Sequence, residues 1–152
     1  MADEYYKLPL RLDLLIKPPG ARQTAASNKQ VYCSMEASIQ QNLFLITTTQ
    51  FNEARYDGRF GCTIWDDDFS TTNDSVSVLW TDRIEKSLRE AIYRYESRLE
   101  RVKVEVSINR EGTPDAHKLV VIRVRAEIAA SNRRPFEYQR EIAVAPFTTK
   151  VR

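Results

Sequence analysis

The stretch Ile92–Val106, "IYRYESRLERVKVEV", changes its hydrophobic repeat halfway along. Leading into it, Ile84, Leu88, Ile92 and Tyr95 recur at three- and four-residue spacing with Ala91 beside them, the pattern of one buried helix face. Beyond it, Val102, Val104, Val106 and Ile108 alternate with Arg101, Lys103, Glu105 and Ser107, as in a strand buried on one side. A Glu96-Ser97-Arg98 triplet sits at the change, so an acid and a base flank one small residue where a helix hands over to a strand.

Working outward, "NREGTPDAH" reads as a turn, after which Val120, Ile122, Val124, Ala126 and Ile128 resume the alternation. "SNRRP" turns the chain again, and Phe136, Tyr138, Ile142 and Val144 form a third run, interrupted by Arg140. Toward the N-terminus, Met35, Ile39, Leu43 and Ile46 mark another helix face, with Ser34 placed to cap it and Glu36 in its first turn. The β-branched Thr47, Thr48 and Thr49 should end that helix. For the second helix, Asp82 and Glu85 have capping-box spacing, while Val76 and Trp80 carry the repeat back toward Asp74; both starts stay open. The expected fold is α+β, two amphipathic helices packed on one face of an antiparallel meander of about three strands, with "RLDLLIK" available as a short N-terminal strand.

The connector between the helices, "QFNEARYDGRFGCTIWDDDFSTTND", mixes Gly58 and Gly61 with Phe60, Trp65 and Phe69. Such aromatics carry too much apolar surface to leave in water, so the loop is expected to pack against the body. A chain of 152 residues, 42% hydrophobic, suffices for one core, and we expect a single α+β domain over residues 31–152 behind an extended arm at residues 1–30 carrying Lys17, Arg22 and Lys29.

The 23 Lys and Arg nearly balance 21 Asp and Glu, and the net charge of +2 does not call for a polyanionic partner. Cys33 and Cys62 are too few for a disulfide framework, no signal peptide is evident and no apolar run is long enough to span a bilayer, which points to a reducing cytoplasm.

Little here suits catalysis. His117, the single histidine, lies in a turn, the cysteines lack metal-ligand spacing, and Asp66 to Asp68 are too close in sequence to surround a cation. The glycines form no phosphate-binding motif, so no metal, cofactor or nucleotide is expected. Arg133 and Arg134 with the basic arm offer the alternative of a small nucleic-acid-binding domain, although the strand residues are mostly aliphatic and Phe136 and Tyr138 are in phase with the core. On its residues alone the corner needs no partner: Arg98 fixes the helix end, worth about 0.3–1 kcal/mol, with Glu96 solvated.

Three segments in order resemble the baseplate wedge and sheath-initiator family of contractile injection machines, found in phage tails and, as TssE, in type VI secretion systems. "MEASIQQNLFLITTT" is similar to the family's first helix, "RYDGRFGCTIWDDDF" to its aromatic segment with Phe60, Gly61 and Trp65 as the structural motif, and "IEKSLREAIYRYESRLERVKVEV" to its second helix, Glu-Pro-Arg motif and first strand. The resemblance covers roughly Met35 to Ile128. Ser97 stands where the family has proline, which softens the helix stop and leaves both charges in place.

The resemblance implies a non-enzymatic structural role. Glu96, Ser97 and Arg98 would contact neighbouring baseplate wedge proteins, and the sheet would take strands from contractile sheath subunits to template their polymerisation, with an inner-tube contact also implied. It places the protein in the bacterial cytoplasm, docked at the inner membrane through partners, and leaves a phage-tail counterpart as the alternative. A lysozyme-type activity would need two carboxyls facing across a cleft, one of them with a raised pKa, and no acidic pair is marked out for this.

Overall fold

The computed structural model describes residues 5–12, 31–66, 74–109, 118–129 and 133–144 (the backbone alone at 74–77 and 118). Two short strands, β1 (Tyr5–Tyr6) and β2 (Tyr32–Cys33), precede helix α1 (Met35–Thr48). A 3-10 turn at Thr63–Trp65 and helix α2 (Asp74–Tyr95) lead into β3 (Leu99–Asn109), β4 (Lys118–Ile128) and β5 (Arg134–Val144). The fold class is α+β. The chain divides into two compact units, residues 1–44 and 45–152.

In the first unit, β1 and β2 pair antiparallel, Tyr5 opposite Cys33 and Tyr6 opposite Tyr32. The Lys7 amide continues the pairing by donating to the Val31 carbonyl at 2.8 Å, and the Leu8 amide donates to Gln41 Oε1 at 2.9 Å. A short strand lies at Tyr5–Tyr6; of "RLDLLIK", Arg11 and Leu12 belong to no strand and the other five residues lie outside the described residues. Lys17, Arg22 and Lys29 of the expected arm lie outside the described residues. Ser34 caps α1 as its sequence suggests, its Oγ accepting the Ala37 amide at 3.2 Å. Ile39, Leu43 and Ile46 of α1 are fully buried, and the helix stops among the threonines.

In the second unit the sheet order is β3-β4-β5, a plain antiparallel meander. Val102, Val104 and Val106 of β3, Val120, Ile122 and Val124 of β4, and Phe136, Ile142 and Val144 of β5 are buried, as the alternation requires. Helix α2 packs along β3, burying Trp80, Ile84, Leu88, Ala91 and Ile92 at the predicted spacing. It begins at Asp74, so Asp82 and Glu85 lie inside it and form no capping box; the repeat through Trp80 outweighs a local cap signal. The solvent face of the sheet carries a ladder in which Arg125 lies 3.3 Å from Glu105 and 3.6 Å from Glu137 on the flanking strands.

Candidate functional site

The corner forms because α2 ends in hydrogen bonds that feed straight into β3. The Glu96 amide donates to the Ile92 carbonyl at 2.8 Å, and the Leu99 amide donates to the Glu96 carbonyl at 3.2 Å. From the sheet, the Ala129 amide donates to the Arg98 carbonyl at 2.9 Å. The triplet is therefore held by the helix on one side and by the β4 end on the other.

Within it, Arg98 Nε donates to Glu96 Oε1 at 2.6 Å while Nη2 bonds Oε2, and the Arg98 amide reaches Oε1 at 3.3 Å. The Glu96 side chain is 2% exposed and that of Arg98 24%, so the carboxylate is buried beneath the guanidinium and is not solvated. A two-point fork of this kind fixes the plane of the arginine as well as its position. Ser97 is exposed at the apex. The corner presents to solvent a serine and part of a clamped guanidinium, with the acid underneath.

The aromatic loop is folded back on itself. Gln50 bridges Cys62, the Cys62 amide donates to the Thr49 carbonyl at 3.2 Å, and the Asn52 amide donates to the Gly58 carbonyl at 2.9 Å. Gly61 sits at φ 120°, and a Cβ there would lie 2.3 Å from the Thr49 carbonyl oxygen, so the closure accepts only glycine. Trp65 Nε1 donates to the Thr47 carbonyl at 3.2 Å, giving one of the last carbonyls of α1 a partner. Phe60 is buried and meets the Tyr95 ring edge-on at 5.1 Å between centroids. The expected packing of the loop against the body is found; Phe69, Asp67 and Asp68 lie outside the described residues.

Two further links tie the loop to α2. The Thr63 amide donates to Ser87 Oγ at 3.2 Å, and the Tyr95 hydroxyl donates to Asp57 Oδ2 at 2.6 Å. The Tyr95 hydroxyl, and then the Arg59 amide, hold the Asp57 carboxyl below its ordinary range, while burial and then Asp57 push the Tyr95 phenol up. Burial raises the Cys62 thiol to about 11, so it is neither a thiolate nucleophile nor a ready metal ligand at neutral pH. A cleft of about 360 Å³ opens between loop and helix, with Asn52, Arg59, Glu90 and Arg94 among its lining.

Sequence reading singled out the corner and the Phe60, Gly61, Trp65 segment, and the structure brings Phe60 onto Tyr95, the last residue of the helix before the triplet. It missed Asp57, Tyr95 and Ser87 as anchors and Glu85 as a strand contact, because each acts on a residue far away in sequence. The conjunction of Tyr95 with Glu96 was the available hint. Of the residues considered for nucleic acid, Arg133 and Arg134 are exposed at the β5 end and Lys17, Arg22 and Lys29 of the basic arm lie outside the described residues, as does His117, the single histidine.

A family model described as baseplate wedge protein gp25 matches residues 33–133. Among solved structures, the chain is similar to a candidate tail lysozyme from Geobacter sulfurreducens, with TM-score 0.55 and 23% identity over 76% of this chain and 96% of that one. It is also similar to a chain of the baseplate complex from the type VI secretion system, with TM-score 0.52 and 15% identity over 70% of this chain and 93% of that one. Identities this low show the shared fold. No match was found among curated proteins.

Proposed function

We propose, from the premise that this chain belongs to the baseplate wedge protein gp25 family, that it is a structural component of the baseplate of a contractile injection machine. The observation that carries this is the span of the family match, which takes in the aromatic loop, the corner, β3 and β4. In the finer reading the protein is TssE-like: it joins baseplate wedge proteins through the corner and starts sheath polymerisation by adding sheath strands to its sheet. A phage-tail counterpart is the alternative within the same family, and neighbouring genes separate the two, since a secretion cluster carries a dedicated ATPase and membrane-complex proteins where a phage carries capsid genes.

The corner geometry supports a contact role of a particular kind. Glu96 is too deeply placed to meet a partner directly, so it acts by aiming Arg98. An arginine already fixed in plane loses little side-chain entropy on docking, and its planar fork beside the Ser97 hydroxyl suits a partner's carboxylate or carbonyls.

A non-enzymatic role is favoured by the carboxyls. A glycosidase needs a proton donor of raised pKa, whereas Asp57 is shifted down and both Glu96 oxygens are engaged by Arg98. Nucleic-acid binding is disfavoured by the sheet, where Arg123 and Arg125 are set among Glu105 and Glu137.

The test is a pull-down of tagged protein from cells expressing its genomic neighbours, comparing wild type with Arg98→Ala and Ser97→Ala, each checked for folding by circular dichroism. Wedge or sheath proteins recovered by wild type and lost from a folded Arg98→Ala variant support the contact. Recovery of nucleic acid, or of no baseplate protein, overturns the reading.

A further inference from the structure

The cleft of about 360 Å³ between the aromatic loop and α2 carries charged groups that the fold leaves without ion pairs. Ser87, Glu90 and Arg94 follow one another at three- and four-residue spacing, so one stripe of α2 forms the helix side, with Ala91 buried at its floor. Phe51, Asn52 and Arg59 form the loop side. Among the described residues, Arg59, Glu90 and Arg94 form no ion pair, although Glu90 and Arg94 stand one helical turn apart. Asp57, whose charge both arginines feel, is already engaged by the Tyr95 hydroxyl at 2.6 Å and the Arg59 amide at 2.9 Å. Ser87 Oγ accepts the Thr63 amide, which leaves its own proton to donate.

The loop side is set by its backbone. Asn52 is held at φ 65° while its amide donates to the Gly58 carbonyl at 2.9 Å, and a Cβ on Gly58 would lie 2.7 Å from Asn52 Oδ1. The Phe60 amide donates to the Asp57 carbonyl at 3.1 Å, so Arg59 is bracketed by bonds that run back to Asp57. On the helix side, Arg94 lies over the Tyr95 ring, 6.0 Å from its centroid. Two guanidiniums therefore stand on opposite sides of one cleft, each on backbone that the fold holds in place.

We infer that this cleft binds an acidic side chain, aspartate or glutamate, carried on an extended segment of a partner protein. Arg59 and Arg94 supply the forked donors that a carboxylate takes, Ser87 adds a hydroxyl, and Phe51 with Ala91 receives the methylenes. Glu90 decides the class of anion. It accepts an N–H of the segment's own backbone, and its charge repels phosphate, which brings no matching N–H. The volume suits one side chain and its flanking peptide groups, at the small end of ligand clefts. Such a contact is additional to the one at Arg98, and its test needs no baseplate protein.

The experiment titrates the full chain, labelled with nitrogen-15, with N-acetylglutamate N-methylamide, which carries the carboxylate, the methylenes and two peptide N–H groups. Its glutamine analogue, glutarate and inorganic phosphate are titrated in parallel. Saturable shifts of the Arg59 and Arg94 Nε–H signals and of the Gly58 amide are expected, with a dissociation constant of about 1 mM for a single residue. The glutamine analogue on wild type, and the blocked glutamate on Arg59→Gln or Arg94→Gln, should each bind at least about ten-fold more weakly. Phosphate should leave wild type unmoved and shift the same signals in Glu90→Gln. Equal shifts from the glutamine analogue, or none from the blocked glutamate, overturn the inference. Phosphate acting on wild type as strongly as the blocked glutamate overturns it too, in favour of an adventitious ion only. Glutarate binding about ten-fold tighter than the blocked residue overturns the choice of a protein segment as occupant. Should Arg94→Gln disturb the fold through Tyr95, Arg59→Gln, at an exposed loop position, decides.

Discussion

Arg98 is the residue on which the corner's chemistry turns, and its value depends on the carboxylate beneath it. Removing one partner of a buried pair leaves a charge without compensation, a loss of about 3–5 kcal/mol in deeply buried cases. Because the Arg98 side chain is 24% exposed, Arg98→Ala is expected to cost roughly half of that, about 2 kcal/mol by urea denaturation, and Ser97→Ala less than about 0.5. Equal effects would mean that the pair contributes nothing to folding. Gly61 makes the other residue-scale demand. With φ at 120° and the Thr49 oxygen where a Cβ would go, Gly61→Ala should cost about 3 kcal/mol or prevent the loop from closing, read as a fall in the denaturation midpoint. A neutral result would show that the loop opens without consequence.

At the scale of elements, the loop is stapled to α2 by the Tyr95–Asp57 bond, and the direction of the two pKa shifts sets its pH window. Asp57 is depressed when folded, so it contributes stability above its unfolded pKa of about 3.9, lost as pH falls through the folded value. Tyr95 is raised, so its contribution is present below its unfolded value of about 10 and lost as pH rises through the folded one. The staple is at full strength from about pH 4 to pH 10. Tyr95→Phe should therefore lower the thermal midpoint at pH 7, with the gap to wild type shrinking as pH drops below about 4. A gap unchanged between pH 7 and pH 2 would show that the ionised Asp57 carboxylate adds nothing to what the Tyr95 hydroxyl contributes. At the same scale, Glu85 Oε1 accepts the Val106 amide at 2.9 Å, and a helix residue sealing a strand amide makes α2 part of the sheet's edge as well as its cover.

For the whole molecule, we propose that residues 31–152 form the folding domain behind an N-terminal arm. Among the described residues none before Val31 is buried, whereas the buried set runs from Val31 to Val144. A chain of residues 31–152 is expected to unfold in one cooperative transition, with a denaturant slope close to that of the full chain. A broad or biphasic transition would show that the β1–β2 pairing and the Leu8–Gln41 bond are needed to complete the core.

What the sequence by itself determined was the order of the two helices and three long strands, the buried faces and the place of the corner. Helical spacing through Ile84, Leu88 and Ile92 and the alternation through Val102 to Val106 are local properties, legible because each period admits one backbone geometry. The Ser34 cap and the threonine stop were legible for the same reason. The tertiary structure decided which groups meet. It turned Glu85 from an expected cap into the acceptor on Val106 and buried Glu96 under Arg98 where the residues alone favoured a solvated acid. It also joined Asp57 to Tyr95 and set Gly61 against the Thr49 carbonyl. Burial and partner choice depend on which distant surfaces close over a residue, and periodicity along the chain carries no record of that.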